Sequence, residues 1–135
     1  MNDGIFYMIS KNLYLRTIFL TLGLILVNCL ISFILVKNGF AVTPNYFPAG
    51  FGFGWFASFA IFILGGFCVY KLKLLQQFPL ITALIIAGSF SNFLEFSLHG
   101  FVADYFNIGI AVLNLADLQI YGGLILLNWN LLRHT

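Results

Sequence analysis

Residues 17–36 read TIFLTLGLILVNCLISFILV, twenty residues without a formal charge between Arg16 and Lys37. A helix needs about 20 mostly apolar residues to cross the hydrocarbon core of a bilayer. The run is longer than the apolar core of a cleaved signal peptide, and no small-residue cleavage site follows it. It is therefore predicted to form a first membrane span.

The composition of the whole chain points the same way. Of 135 residues, 61% are hydrophobic, 19% are aromatic and only 7% are charged, whereas a soluble domain carries about 25% charged residues. A soluble globular enzyme is excluded, and so is a disordered chain, which needs low hydrophobicity and high charge. The net charge of +2 is too small and scattered for a nucleic-acid interface, so no nucleic acid is expected as a partner.

Three further spans are predicted at about residues 53–70, 77–97 and 111–132. The expected fold is an all-α membrane protein with four transmembrane helices in one domain, residues 1–135. A small exterior loop region, rich in glycine and proline, separates spans one and two. Lys37 is the one basic residue predicted on the exterior side, and the basic residues on the other side are Lys11, Arg16, Lys71, Lys73 and Arg133. By the positive-inside rule, both termini are predicted to be cytoplasmic.

The acidic residues carry the strongest functional signal. Besides Asp3 in the N-terminal tail, the chain has only Glu95, Asp104 and Asp117, which all map to the exterior ends of spans three and four. Ionisable groups within a membrane are costly and usually functional. Two adjacent carboxylates cannot both ionise easily, so they share a proton, and such a pair can activate water and protonate a leaving amine. Spacing alone is compatible with an aspartic peptidase, but it does not favour that interpretation over proton conduction or a purely structural role.

Other polar residues within the spans are predicted to be structural. Asn28, Ser32 and Ser58 are expected to form hydrogen bonds between helices. No metal-ligand spacing of histidine or cysteine and no glycine-rich phosphate loop is present. No metal site and no cofactor are therefore predicted.

Residues 88–107 read GSFSNFLEFSLHGFVADYFN, residues 113–117 read LNLAD, and together they resemble the bacterial lipoprotein signal peptidase family, or signal peptidase II. That family shows a glycine, Asn-x-x-Asp-Arg, then Gly-x-Val-x-Asp-Phe, and Asn-x-Ala-Asp at the start of the last span. The matching positions are Gly88, Asn92, Gly100, Val102, Asp104, Asn114, Ala116 and Asp117.

The sequence departs from the family pattern in three places. Glu95 and Phe96 stand where the family has Asp-Arg, and residues 28–32 (NCLIS) stand where its first span carries Asp-Gln-x-Thr-Lys. Tyr105 supplies the aromatic residue in the place of the family phenylalanine. In the first exterior loop, Asn45 is an approximate counterpart of the asparagine in the family's Asn-x-Gly-Ala-Ala-Phe pattern.

The resemblance implies an intramembrane aspartic endopeptidase with Asp104 and Asp117 as its catalytic pair. Asn92, Asn114 and Asn45 would bind the substrate or orient the pair. The implied substrate is a prolipoprotein whose cysteine carries a diacylglyceryl group, cut just before that cysteine, with membrane lipid as the other partner. The implied location is the bacterial cytoplasmic (inner) membrane, with the active site at the exterior face.

Two alternative functions belong to other classes. Because Phe96 replaces an arginine, the protein could be a non-cleaving homologue that binds lipidated peptides or acts as a membrane scaffold. A proton or ion pathway through Glu95, Asp104 and Asp117 is less favoured, since no acid lies in the cytoplasmic half to continue it.

Overall fold

The computed structural model describes the backbone of residues 3–46 and 54–133 and the side chains of residues 12–46, 59–60 and 63–133. The predicted start of the second span at residue 53 and the side chain of Ser58 lie outside the described residues. In chain order the elements are helix α1 (Asp3–Lys37), strand β1 (Thr43–Asn45), helices α2 (Gly54–Lys71), α3 (Leu74–Gln77) and α4 (Pro79–His99), strands β2 (Val102–Asp104), β3 (Phe106–Asn107) and β4 (Val112–Leu113), and helix α5 (Leu115–Arg133).

Helix α4 lies at the centre and packs against α5, α1 and α2. Its small residues Ala83 and Ala87 are fully buried between these neighbours. The outer surface of α1 is apolar and exposed, with Phe19 as an example. An apolar exterior is typical of helices that face lipid. In the described part of the chain, two helical segments are long and apolar enough to cross a membrane, Asn12–Lys37 and Pro79–His99.

Helices α4 and α5 approach each other closely at Gly88. A Cβ atom at this position would overlap the backbone carbonyl oxygen of Ala116 and would lie 2.8 Å from Cγ1 of Ile120. One turn further along α4 lies Asn92, and the residue after Ala116 is Asp117. The absent side chain at Gly88 therefore lets the two helices bring their functional residues together.

The connections at one end of the bundle contain strands, which the all-α prediction did not include. Strand β1 pairs antiparallel with β2, with Thr43 opposite Asp104, and β3 pairs antiparallel with β4. Strands of two or three residues are too short to show the alternating pattern that identifies a strand in sequence. The hairpin also explains why α5 begins at Leu115 rather than at residue 111, because residues 112–113 belong to β4.

Candidate active site

Asp104 is the last residue of β2 and is buried, with 3% of its surface exposed. Its Oδ1 atom accepts a hydrogen bond from Nδ2 of Asn114 at 2.9 Å, and its Oδ2 atom accepts one from Nδ2 of Asn45 at 3.0 Å. Asn45 reaches this carboxylate because β1 pairs with β2. Strand β1 and the residue that precedes α5 thus both hold the same acid.

Asp117 is fixed by the start of helix α5. Asn114 precedes the helix, and its Oδ1 atom accepts a hydrogen bond from the backbone N–H of Asp117 at 2.8 Å. In return, Oδ2 of Asp117 accepts from the backbone N–H of Asn114 at 3.2 Å. This reciprocal arrangement is a capping box with aspartate in place of the usual glutamate. The helix dipole also favours a negative charge in the first turn.

Asn92 of α4 and Asn114 form an asparagine bridge between the two acids. Nδ2 of Asn92 donates to Oδ1 of Asp117 at 2.8 Å, and Oδ1 of Asn92 accepts from Nδ2 of Asn114 at 3.1 Å. Because Nδ2 of Asn114 also donates to Asp104, a continuous chain of hydrogen bonds joins Asp104, Asn114, Asn92 and Asp117. The structure therefore brings all five residues predicted for the site together, including Asn45.

The environment of Asp104 favours its protonated form. Burial raises the pKa of Asp104 above its usual value, and the negative charge of Asp117 raises it further. The hydrogen bonds from Asn45 and Asn114 act in the opposite direction and lower this pKa. The donors to the two carboxylates are neutral amides, so their hydrogen bonds bring no full positive charge to the pair. Two close carboxylates in such an environment can hold one proton between them.

Glu95 lies apart from the asparagine bridge, although it is only one turn from Asn92 on α4. Its Oε1 atom accepts from the backbone N–H of Ala103 at 3.2 Å, and its Oε2 atom accepts from Oγ of Ser32 at 3.3 Å. A small cavity of about 200 Å³ between α1 and α4 is lined by Glu95, Ser32, Phe33, Val36, Lys37 and His99. Glu95 therefore links α1 and β2 to α4.

A polar cluster buried among the helices lies beyond the acids. Nδ2 of Asn28 donates to Oγ of Ser91 and to Oε1 of Gln119, both at 2.9 Å, and Nε2 of Gln119 donates back to Oδ1 of Asn28 at 3.1 Å. The predicted interhelical roles of Asn28 and Ser32 are thus confirmed. Gln119 was not predicted, although an amide side chain inside an apolar helix is a signal for such a contact.

Tyr105 was predicted only as an aromatic that matches the family phenylalanine. In the structure its hydroxyl oxygen accepts a hydrogen bond from the backbone N–H of Leu115 at 3.1 Å. The sequence indicated such a contact only by having tyrosine, with its hydroxyl group, in place of phenylalanine directly after Asp104.

A large apolar cavity opens beside the acids, between α2, α4 and α5. Its volume is about 750 Å³, and Asn45, Asn92 and Asp117 are among its polar lining residues. Most of its wall is hydrophobic, with Val69 from α2 and Ile85 from α4. The cavity can therefore hold an apolar group next to the carboxylate of Asp117. Within the described ranges, no three His, Cys, Asp or Glu side chains come together as a metal site.

Comparisons with known proteins agree with this fold. The chain matches the family model of signal peptidase (SPase) II over residues 5–133. A solved structure described as a bacterial membrane enzyme, determined by the in meso method, superimposes with a TM-score of 0.68 at 19% sequence identity, covering 89% of this chain and 94% of that chain. No curated protein gives a significant sequence match. Because the family model extends over almost the whole chain, this membrane protein belongs to the signal peptidase II family of peptidases, which act in lipoprotein processing.

Proposed function

We propose that the protein is an intramembrane aspartic endopeptidase that removes signal peptides from prolipoproteins, cutting before a diacylglyceryl-modified cysteine. The observation that carries this proposal is the chain of hydrogen bonds from Asp104 through Asn114 and Asn92 to Asp117, beside the apolar cavity. Peptide hydrolysis at a lipid-bearing residue requires a pair of acids and an apolar space for the lipid, and this site has both.

The two acids divide the chemistry between them. One carboxylate is ionised and removes a proton from a water molecule, which attacks the scissile carbonyl carbon. The other carboxyl group donates its proton to the carbonyl oxygen as the tetrahedral intermediate forms. The proton taken from water then passes from the first carboxyl group to the leaving nitrogen, and a hydroxyl group of the intermediate returns its proton to the second carboxylate as the C–N bond breaks. Burial raises the pKa of Asp104, which suits it to hold the shared proton at the start of the reaction.

The asparagines act mainly on the acids. An amide group has two hydrogens, and Asn114 donates both, one to Asp104 and one to Asn92. No side-chain hydrogen of Asn114 remains for the substrate, so we assign it to orienting the pair. Asn92 and Asn45 each hold one carboxylate oxygen and also line the cavity, where they are placed to contact a bound peptide.

The cavity supports the lipidated substrate class. Its volume of about 750 Å³ and its largely apolar wall match a ligand that carries hydrocarbon. Asp117 lines the same cavity, so a lipid chain held there would be attached close to the scissile bond. An unmodified peptide would leave this apolar volume unfilled and would bind more weakly.

We further propose four crossings of the bacterial cytoplasmic membrane, with both termini inside and the acids at the exterior face. The distribution of basic residues supports this orientation, with Lys37 alone on the exterior side. In a background lacking Cys29 and Cys68, an impermeant thiol reagent should label Asn38→Cys in intact cells but not Lys73→Cys. Labelling of Lys73→Cys but not of Asn38→Cys would show the opposite orientation in the membrane.

The function is tested by incubating the purified full chain with a diacylglyceryl-modified prolipoprotein and analysing the products by mass spectrometry. We expect a fragment that begins at the lipidated cysteine. The same prolipoprotein without the lipid is the control substrate and should be cut slowly or not at all. Equal cleavage of both substrates would contradict the assigned role of the cavity.

A second candidate is a homologue that binds lipidated peptides without cutting them. The observation in its favour is Phe96, a buried side chain at the position of the family arginine. Saturable binding of the lipidated prolipoprotein without any product, under conditions where a cleaving family member gives product, would favour this candidate.

A further inference from the structure

Tyr105 differs from the family pattern by one hydroxyl group, and this group has a specific partner. It accepts a hydrogen bond from the N–H of Leu115, the first residue of α5. The backbone N–H of Tyr105 donates to the carbonyl oxygen of Leu113 at 3.0 Å. The residue directly after Asp104 is therefore attached to the residues on both sides of Asn114.

We propose that Tyr105 is a positioning residue for the acid pair, whose hydroxyl group holds the start of α5, and with it Asp117, against the strand that carries Asp104. This inference deepens the proposed function and rests on it for its meaning in catalysis. It concerns an atom that the family phenylalanine lacks.

The geometry explains why a hydroxyl group is effective at this point. The first N–H groups of a helix have no partner within the helix. At α5, the side chain of Asn114 satisfies the N–H of Asp117, and the hydroxyl of Tyr105 satisfies the N–H of Leu115. The tyrosine ring packs against Phe106 with a centroid distance of 4.8 Å, which restricts its movement. Because the ring is held in place, the hydroxyl oxygen of Tyr105 stays close to the N–H of Leu115.

Burial and the nearby acids keep the hydroxyl group of Tyr105 neutral. Burial raises the pKa of Tyr105, and the negative charges of Glu95 on α4, Asp117 on α5 and Asp104 on β2 raise it further, whereas the hydrogen bond from the N–H of Leu115 lowers it. A phenol that keeps its hydrogen accepts from Leu115 without adding a negative charge to the site. The contact is therefore compatible with a proton shared by the two acids.

Loss of the hydroxyl group should loosen the first turn of α5 and leave the fold intact. Asp104 would then become better hydrated and lie farther from the charge of Asp117, and both changes lower its pKa. A weaker hydrogen bond from Asn114 would raise it, but burial and Asp117 are the larger influences. The net expectation is a fall in the pKa of Asp104.

The chain has three aspartates, Asp3, Asp104 and Asp117, so carboxyl-¹³C-labelled aspartate gives three resonances in the full-length protein. These are assigned with single Asp→Asn variants, and Asp104 is titrated by NMR in the wild type and in Tyr105→Phe. We expect Tyr105→Phe to lower the pKa of Asp104. In the cleavage assay, kcat should fall about two- to tenfold with little change in KM, as for the loss of one hydrogen bond.

Leu115→Pro is an independent variant, because proline lacks the donating N–H and is favoured at the first position of a helix. It should lower the pKa of Asp104 as Tyr105→Phe does, and the double variant should add little. Tyr70→Phe, an exposed tyrosine on α2, is the matched control and should leave the pKa unchanged.

An unchanged pKa of Asp104 in both Tyr105→Phe and Leu115→Pro would overturn the inference, even if the variants lost thermal stability. This titration needs no substrate. A wild type that does not cleave would therefore contradict the proposed function, while the placement of the acids by Tyr105 would still be measured.

Discussion

The two sides of helix α4 hold carboxylates in different ways. On the side facing α5, Asp104 and Asp117 are joined by two asparagines beside a cavity of about 750 Å³. On the side facing α1, Glu95 is bound by Ser32 and by the backbone next to Asp104, beside a cavity of about 200 Å³. Burial alone therefore does not assign a function to an acid. The α5 side differs from the α1 side in having a second carboxylate that can share a proton and a cavity large enough for a substrate.

The largest expected effect comes from neutralising either acid on the α5 side, with Glu95 on the α1 side for comparison. Asp104→Asn and Asp117→Asn should each lower the initial cleavage rate by at least about 10²-fold, because an amide neither removes a proton from water nor supplies one to the leaving nitrogen. Glu95→Gln should stay within about tenfold of the wild type, since it loses no proton-transfer step. Its carbonyl can still accept from Ala103, and its amide can donate to Ser32. Initial rates on the lipidated prolipoprotein measure all three.

Asp3→Asn, at the first residue of α1, is the control for a general effect of charge removal. An inactive Glu95→Gln together with an active Asp104→Asn would reverse the roles assigned to the two sides of α4. Equal activity of all the variants would remove the acid pair from the mechanism.

A steric change at the α4–α5 contact should have the next largest effect. In Gly88→Ala the new methyl group overlaps the carbonyl oxygen of Ala116, and a backbone atom has little freedom to move away. Overpacking of this kind costs about 1–3 kcal/mol, and the displaced helix would carry Asp117 away from Asn92. Activity should therefore fall together with stability, as measured by rates and by thermal unfolding.

Gly23→Ala on α1 is the matched control, because a Cβ atom at Gly23 meets nothing within 4 Å. It should be neutral or slightly stabilising, since alanine is the better helix former. A harmless Gly88→Ala would show that the close approach of α4 and α5 does not set the position of the acids.

On the α1 side, α1 is attached to α4 and α5 by the hydrogen bonds of Asn28. Loss of these bonds should lower the stability of the protein more than its activity. Asn28→Ala leaves the amide of Gln119 and the hydroxyl of Ser91 without this partner, a cost of about 1–3 kcal/mol. Asn38→Ala, which removes an exposed asparagine, is the control. A double-mutant cycle with Gln119→Ala measures the coupling. Strictly additive losses of stability in the double variant would contradict a direct interaction between Asn28 and Gln119.

These contacts also show what the sequence could and could not predict. The long helices were predictable because long uncharged runs can be identified without knowing which residues pack against them. Asp104 and Asp117 could be singled out because acids are rare in this chain and both positions match a family pattern. The partners of Glu95 and the position of Asn45 were not predictable in atomic detail, because they depend on contacts between distant segments. Glu95 is hydrogen-bonded to Ser32 of α1 and to Ala103 of β2. Asn45 reaches Asp104 through the pairing of residues 43–45 with residues 102–104. The role of Asn114 as a helix cap depended on where α5 begins, which the hairpin β3–β4 decides.

The smallest expected effect concerns the dependence of stability on pH. Because burial and Asp117 raise the pKa of Asp104 above 3.8, the folded state binds its proton more tightly than the unfolded state does. Below pH 3.8 the group is protonated in both states and carries no penalty. As the pH rises, the unfolded state ionises first, so this group lowers stability until the pH passes its folded pKa. The full penalty is present above that value.

Asp104→Asn should remove this part of the pH dependence. The difference between the Tm of the variant and that of the wild type should therefore become more positive from pH 3 to pH 8, by no more than a few degrees. The new amide also places an –NH₂ group against the donors Asn45 or Asn114, but that cost does not vary with pH and leaves the trend unchanged. Thermal unfolding in the same detergent at each pH measures the difference, with Asp3→Asn as the control. A difference that stays flat or falls with pH would mean that folding does not raise the pKa of Asp104. The proton for cleavage would then have to come from another group.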